Sequence, residues 1–103
     1  MSGAADIGAI RLAGADNVAT VLRAVAAGEA LRVRCGAEVE EVTAADAIPF
    51  CHKISLGVIA AGAQIVKYGQ PIGSALSAIA GGRHVHVHNM RSARAREIGR
   101  AHV

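Results

Sequence analysis

Three histidines alternate with two valines between His84 and His88, and Asn89 follows them directly. Successive side chains of a β-strand point to opposite faces, so a strand here places all three imidazoles on one face. Imidazole is a common metal ligand, and its ordinary pKa lies close to neutral pH. The spacing therefore predicts that His84, His86 and His88 bind a divalent metal ion or an anionic substrate, or carry protons.

A second interpretation of the same residues stays open. Three histidines on one face also suit a polar strand surface at an interface between subunits. Asn89 has two interpretations as well, because its amide can orient a substrate hydroxyl or cap the end of the strand. The residues alone do not separate these alternatives.

The composition limits the kind of core that the chain can build. Its 103 residues fit one domain, and 52% of them are hydrophobic, with one Phe, one Tyr and no Trp. Twelve glycines favour many turns and short strands over a helical bundle. We therefore expect a mostly β domain with a small aliphatic core, which cannot enclose a large ligand by itself.

The charge pattern argues against two classes of partner. Residues 1–90 carry seven Lys or Arg and seven Asp or Glu, so the net charge of +3 comes from the segment after them. This balance lacks the basic face of a nucleic-acid-binding protein, and no apolar run is long enough to cross a membrane. Cys35 and Cys51 have no metal-binding or redox spacing, so we expect reduced thiols in a cytoplasmic protein.

A short pattern recurs over residues 25–33, 59–67 and 79–87. Each copy has an apolar residue, two small residues, a glycine, a two-residue spacer and an alternating segment. We interpret each copy as a single helical turn, a glycine with positive φ and a short strand. Other strands are predicted over residues 7–12, 18–22, 37–42 and 72–76.

The predicted strands and the two ends of the chain set the expected domain boundaries. Residues 1–6 are expected to be disordered, residues 7–90 to form the domain, and residues 91–103 to form a basic tail. The arginines of that tail either lie in solvent or contact an acidic partner or substrate.

Four motifs occur in a fixed order along the chain. They are Asp16-Asn17-Val18-Ala19, Ile48-Pro49-x-x-His52-Lys53-Ile54-x-Leu56, Val66-Lys67-Tyr68-Gly69-x-x-Ile72-Gly73 and His84-Val85-His86-x-His88-Asn89. In this arrangement the chain resembles the SAF-type domain of the altronate/galactarate dehydratase family. The resemblance implies a β-clip fold of short strands, and it covers nearly the whole domain.

The resemblance also implies an activity and its partners. It points to the small subunit, or the equivalent N-terminal domain, of a hydro-lyase that removes water from a 2,3-dihydroxy sugar acid and leaves a 2-keto-3-deoxy acid. It implies a divalent metal, Fe²⁺ or alternatively Mn²⁺, at a site that a large catalytic subunit completes. Assembly into a homo-oligomer stays open.

The matching positions carry the roles that the resemblance implies. The catalytic candidates are His52, Lys53, Tyr68, His86 and His88. The substrate-binding candidates are Lys67, Asn89 and Arg91. The metal candidates are His84, His86 and His88. Three of these residues also have a non-catalytic interpretation. Lys53 can be a surface side chain, Tyr68 an anchor for the turn that follows it, and Arg91 part of a solvated end.

One residue departs from the family pattern. The family has glycine directly before the His-Lys pair, and this chain has Cys51. A cysteine is strained there if the position requires positive φ. Two other functions remain alternatives: the small subunit of (2R)-sulfolactate sulfo-lyase, in which bisulfite leaves instead of water, and a non-catalytic module that binds a carbohydrate or a partner.

Overall fold

The computed structural model describes residues 6–93, and within them the regular structure is almost entirely β. The strands of this part are β1 Ala9–Ile10, β2 Val18–Val21, β3 Ala30–Cys35, β4 Glu38–Thr43, β5 Lys53–Ser55, β6 Gln64–Lys67, β7 Gln70–Ala75, β8 His84–Val85 and β9 Met90–Ser92. The predicted mostly β domain of short strands is confirmed. In this part of the chain, no helix is long and apolar enough to span a membrane.

The strands form two sheets. The larger sheet has the order β4-β3-β1-β2-β5-β8, and the smaller has the order β6-β7-β9. β1 and β3 are parallel, whereas the other paired strands are antiparallel. In the pairing of β5 with β8, Ile54 lies opposite His84. This register places the first histidine of the chain's histidine-rich segment beside the strand that follows His52.

The core consists of small aliphatic side chains, as the composition predicts. One cluster is formed by Ala9, Ala19, Val21, Val25, Leu31, Val33, Ala44, Ile48 and Ile54. A second cluster is formed by Val18, Ile59, Ile65, Ala75, Ile79 and Val85. The second cluster draws residues from both sheets, so burial of its apolar surface holds the two sheets together.

The glycines of the three repeated segments behave as predicted. Gly28, Gly62 and Gly82 have φ values of 88°, 81° and 81°. A strand begins two residues after each of them, at the start of β3, β6 and β8. The sequence pattern therefore located three strands correctly, because the left-handed conformation at each turn needs a residue without a Cβ.

The helical turn predicted before each glycine is wrong. The N–H of Glu29 donates to the carbonyl of Ala26, and the N–H of Ala63 donates to the carbonyl of Ala60. These bonds close four-residue β-turns. The apolar residue that opens each copy is held in an extended bridge instead, as in the pairing of Ile59 with Ile79. Only two residues then separate it from the glycine, which is too few for a helical turn.

A fourth copy of this turn was missed because a cysteine occupies the glycine position. Ile48 forms a bridge with Val25, and the N–H of His52 donates to the carbonyl of Pro49 at 3.0 Å. Cys51 has a φ of 72°, and β5 begins two residues later. The position does require positive φ, so the strain expected for a cysteine there is present.

Asp16 connects the larger sheet to the hairpin of β6 and β7. Its carboxylate is buried and accepts hydrogen bonds from the backbone N–H groups of Ala13, Tyr68 and Gly69, at 3.0, 2.8 and 2.8 Å. The neighbouring Asn17 side chain also bonds to the backbone of β6. Asp16 therefore links the larger sheet to the smaller one.

The last strand lies beyond the predicted end of the domain. β9 pairs with β7, so Arg91 and Ser92 belong to the smaller sheet and not to a tail. The pairing is possible because Gly73 leaves room for the carbonyl of Arg91, which a Cβ would strike. The predicted disorder of residues 1–5 and the arginines after residue 93 lie outside the described residues.

Candidate functional site

Three histidines from two distant segments meet at one edge of the larger sheet. Nδ1 of His52 lies 2.8 Å from Nε2 of His84, and the His52 ring stacks on the His86 ring with centroids 3.8 Å apart and planes 12° apart. One nitrogen from each of these three rings lies within 4.8 Å of the others. We call His52, His84 and His86 the histidine cluster.

The histidine-rich segment is not one continuous strand. β8 ends at Val85, and residues 87–89 form a turn that the N–H of Asn89 closes on the carbonyl of His86. Val87 consequently lies in solvent with 73% of its surface exposed, whereas Val85 is fully buried. The prediction of a single alternating strand through His88 is therefore wrong after Val85.

Asn89 is the reason that the strand ends. Its amide nitrogen donates to the carbonyl of His84 at 2.8 Å, and its amide oxygen accepts the N–H of His86 at 3.0 Å. Asn side chains commonly compete with ladder hydrogen bonds in this way. Of the two roles considered for Asn89, the structure shows the capping role.

The turn brings His88 back towards the histidine cluster. The His88 ring lies with its centroid 5.0 Å from that of His84, tilted by 40°. The metal candidates from sequence were His84, His86 and His88, whereas the mutually close set consists of His84 and His86 with His52. His88 is exposed and adjoins this set.

Asp46 is a site residue that sequence reasoning missed. Its Oδ2 accepts the backbone N–H of His84 at 3.0 Å and the Nε–H of Arg83 at 2.8 Å. The hydrogen bond from His84 lowers the pKa of Asp46, burial opposes this, and Arg83 lowers the pKa further. Asp46 stands 38 residues before His84, with no motif around it, so no local signal marks it.

The surroundings lower the pKa values of two rings of the histidine cluster, His84 and His86. Burial lowers the pKa of His84, and the positive charges that His88, His52 and His86 can carry lower it further. Burial also lowers the pKa of His86, and the positive charges of His52, Lys53 and His88 lower it further. Neutral imidazoles have a free lone pair, so these two rings are suited to ligate a metal ion or accept a proton.

Lys53 adds positive charge beside the histidine cluster, and the charge of Lys67 acts on Lys53. Lys53 follows His52 directly and is half-buried, and its pKa is lowered by burial and by the charge of Lys67. Lys53 lies opposite Val85 in the pairing of β5 with β8, and its charge in turn lowers the pKa of His86. The fold therefore places Lys53 beside the histidine cluster.

Tyr68 and Arg91 are placed elsewhere. Tyr68 lies at the tip of the hairpin between β6 and β7, with positive φ and 71% of its surface exposed. Arg91 is exposed on β9 in the smaller sheet. Among residues 6–93, neither side chain makes a contact with the histidine cluster. Their roles in chemistry stay predictions.

The histidine cluster has the features of a site for one divalent ion. Nδ1 of His86 is buried and, within the described residues, has no hydrogen-bond partner. Three imidazole nitrogens suit iron and zinc better than they suit manganese, which prefers oxygen ligands. His52, His84 and His86 would hold such an ion through one nitrogen each.

Comparison with known proteins decides the family. The altronate/galactarate dehydratase SAF domain matches residues 7–93. The chain belongs to this family. Since residues 7–93 are nearly all of the described part, the SAF domain accounts for both sheets and for the histidine cluster.

Curated relatives carry this SAF domain within larger proteins or as subunits. Altronate dehydratase of Escherichia coli is 42% identical over 83 residues, which are 81% of this chain and 16% of that protein. Altronate dehydratase of Bacillus subtilis is 43% identical over 77 residues, which are 75% of this chain and 15% of the relative. The chain therefore spans about one sixth of these two enzymes.

The SAF domain is also similar to a subunit of another lyase. The alpha subunit of (2R)-sulfolactate sulfo-lyase from Chromohalobacter salexigens is 41% identical over 49 residues, which are 48% of this chain and 52% of that subunit.

Proposed function

We propose that this SAF domain supplies the histidine cluster of a lyase that removes water from a 2,3-dihydroxy sugar acid. The observation that supports this most is the meeting of His52 with His84 and His86, because these residues come from two of the four motifs of the family. The three rings are partly exposed on this domain. A larger catalytic chain or segment therefore encloses the substrate and completes the site.

The reaction needs a base, an acid and a site for negative charge. The bond from the α-carbon to its hydrogen breaks and the proton passes to the base. The bond from the β-carbon to its hydroxyl breaks, and the hydroxide takes a proton from the acid and leaves as water. The enol that results rearranges to the 2-keto-3-deoxy acid.

The residues of this chain are suited to distinct roles. His88 adjoins the histidine cluster and takes the α-proton on an imidazole nitrogen. Lys53, whose pKa is lowered by burial and by Lys67, donates a proton from Nζ to the leaving hydroxide. A lowered pKa makes an ammonium group a stronger acid, which favours this transfer.

The histidine cluster is the proposed place for a divalent ion, iron before manganese. His52, His84 and His86 would hold it through one nitrogen each, with further ligands from the larger catalytic part. When bound, the ion would act as a Lewis acid for the negative charge that develops on the substrate. The lowered pKa values of His84 and His86 favour binding, because only neutral imidazole is a ligand.

A tagged full-length chain, purified from its native host, tests this function. We expect it to bring down a larger protein in stoichiometric amount, together with a divalent metal, and to eliminate water from altronate. Sulfite release from sulfolactate would favour the sulfo-lyase, the second candidate, which the alpha-subunit relative supports. Recovery of the chain without partner and metal, from cells that express the pathway enzymes, would contradict the lyase function and support a non-catalytic binding module.

Variants in the assembled enzyme test the roles. We expect His88→Ala to lower kcat by about 10²–10⁴-fold, the usual effect of losing a general base. Glu38→Gln is the control, since Glu38 is exposed on β4 at the opposite edge of the sheet from β8. Unchanged turnover in His88→Ala would show that His88 is not the base. Unchanged metal content in His86→Ala would show that the histidine cluster does not hold the metal.

A further inference from the structure

A cleft of about 350 Å³ opens beside His88, outside the histidine cluster. Residues 77–80 form one wall, and Arg83, His88 and Asn89 line the other side. Pockets for small ligands start at about 300 Å³, so the cleft has room for a hydroxy acid of a few carbons. Nothing in the proposed function so far uses Arg83 or residues 77–80.

The walls of this cleft are held in place by buried hydrogen bonds. The hydroxyl of the fully buried Ser55 donates to the carbonyl of Ala80 at 2.6 Å and accepts the N–H of Arg83 at 3.0 Å. On the other side, the N–H of Leu76 donates to the carbonyl of Asn89 at 3.0 Å. The cleft therefore has its shape before any ligand arrives, which reduces the entropy cost of binding.

Arg83 lines the cleft, and the structure shows a bond at one position of its guanidinium. Its Nε bonds to Asp46 at 2.8 Å, and its side chain is 52% exposed. Its two terminal nitrogens have no hydrogen-bond partner among residues 6–93. A guanidinium that is held at Nε and free at its terminal nitrogens is suited to bind a carboxylate through two parallel hydrogen bonds.

The cleft adjoins the proposed chemistry. His88 lines the cleft, and its ring lies with its centroid 5.0 Å from that of His84 in the histidine cluster. We propose that this cleft binds the carboxylate of the hydroxy acid, with Arg83 as the anchoring residue. The choice of a hydroxy acid rests on the proposed function, whereas the anion-binding site rests on the cleft and on Arg83.

This placement explains why His88 faces the cleft. A carboxylate held by Arg83 brings the carbon next to it, which carries the proton to be removed, towards the His88 imidazole. The β-carbon and its hydroxyl then point away from Arg83. Arg83 acts as a binding residue for every acid of this type, because all of them share the carboxylate.

Binding of altronate to the full chain, followed by NMR of backbone amides, tests the proposal. The matched probe is the alditol with the same carbon chain and hydroxyls but no carboxylate. We expect altronate to shift the amides of residues 77–83 and 88–89 in a saturable manner, and the alditol to bind about tenfold more weakly or not at all.

Two variants and one control variant separate a loss of binding from a loss of folding. Arg83→Gln is expected to weaken altronate binding about tenfold or more, whereas Arg23→Gln, which removes the guanidinium of a separate ion pair with Glu29, should leave it unchanged. Ala78→Trp fills the cleft from an exposed position and should also abolish binding. Unperturbed spectra elsewhere show that each variant is folded.

The outcomes separate this inference from the proposed function. Equal binding of altronate and alditol, or undiminished binding by Arg83→Gln, would overturn the carboxylate site even if the assembled enzyme eliminates water. Shifts that fall only on other residues would overturn it as well. Conversely, altronate binding that depends on Arg83 supports the site even where elimination is absent.

Discussion

At the scale of single residues, Cys51 shows how a backbone conformation can persist when its usual residue is replaced. Its φ of 72° belongs to the left-handed region, where a Cβ costs about 1 kcal/mol or more. The turn is nevertheless kept, because the bridge of Ile48 with Val25 and the strand after His52 hold both of its ends. The cysteine is thus tolerated by its surroundings rather than favoured by its own conformational preference.

We expect Cys51→Gly to be more stable than Cys51→Ala by about 1 kcal/mol, because both remove the thiol and only the glycine relieves the strain. Chemical denaturation of the two variants, with the wild type alongside, measures the difference. A Cys51→Ala protein as stable as Cys51→Gly would show that the turn carries no strain.

A second prediction at this scale concerns protonation. The pKa values of His84 and His86 are lowered, so both rings should titrate below the ordinary value of 6.5 in a pH series of imidazole NMR signals. Below pH 6.5 the unfolded chain binds these protons more readily than the folded chain, so the free energy of unfolding should decrease as pH falls. A pKa above 6.5 for either ring would contradict the environment described here.

At the scale of elements, the fold reuses one connection. A bridge residue, a tight turn with positive φ and a strand occur four times, ending in β3, β5, β6 and β8. The copies that begin at Ile59 and Ile79 pair with each other, as do those that begin at Val25 and Ile48. His52 and His84 lie directly before and at the start of two of these strands, so the turns determine where the histidines stand.

Two of the turn glycines form a matched pair for experiment. Gly62 and Gly82 have the same φ of 81°, but a Cβ on Gly62 meets open space, whereas one on Gly82 would strike the carbonyl oxygen of Thr43. We expect Gly62→Ala to cost about 1 kcal/mol from backbone strain, and Gly82→Ala to cost roughly 2 kcal/mol more because of the collision. Thermal unfolding measures both, and equal losses would refute the packing argument.

At the scale of the whole molecule, Asp16 joins the larger sheet, which carries the histidine cluster, to the smaller sheet. Burial raises the pKa of Asp16, but the hydrogen bonds from the backbone N–H groups of Gly69, Tyr68 and Ala13 lower it, and the pKa lies below the ordinary value of 3.8. A lowered carboxyl pKa stabilises the fold above pH 4, and this stabilisation is lost as pH falls through the folded-state value.

We expect Asp16→Asn to lose about 2 kcal/mol of stability at pH 7, since its amide group turns a donor towards backbone N–H groups. The gap to the wild type should narrow as pH falls through the lowered pKa of the Asp16 carboxyl, because the wild-type group then becomes protonated. Glu41→Gln, at an exposed position on β4, is the control and should change little. A gap that is independent of pH would show that the charge of Asp16 is not what joins the sheets.

The sequence by itself determined the mostly β class, the aliphatic core, the positive φ of Gly28, Gly62 and Gly82, and the strands that follow them. These features are local: a glycine at the end of a short turn and an alternating segment after it have the same meaning in almost any surroundings. The family resemblance, carried by four ordered motifs, was likewise readable without coordinates and is confirmed.

Only the tertiary structure decided which residues share the site. His52 reaches His84 across 32 residues, and Asp46 reaches it across 38, because the register of β5 with β8 and the packing beside them bring these segments together. The sequence did not show that β8 ends at Val85 either, because the alternation of His and Val continues past Val85. In the structure, the side chain of Asn89 bonds to this backbone, which forms a turn. A local pattern predicts the conformation of its own segment. Which residues meet across a sheet depends on the strand register and on the turns between segments, and neither can be predicted from one segment alone.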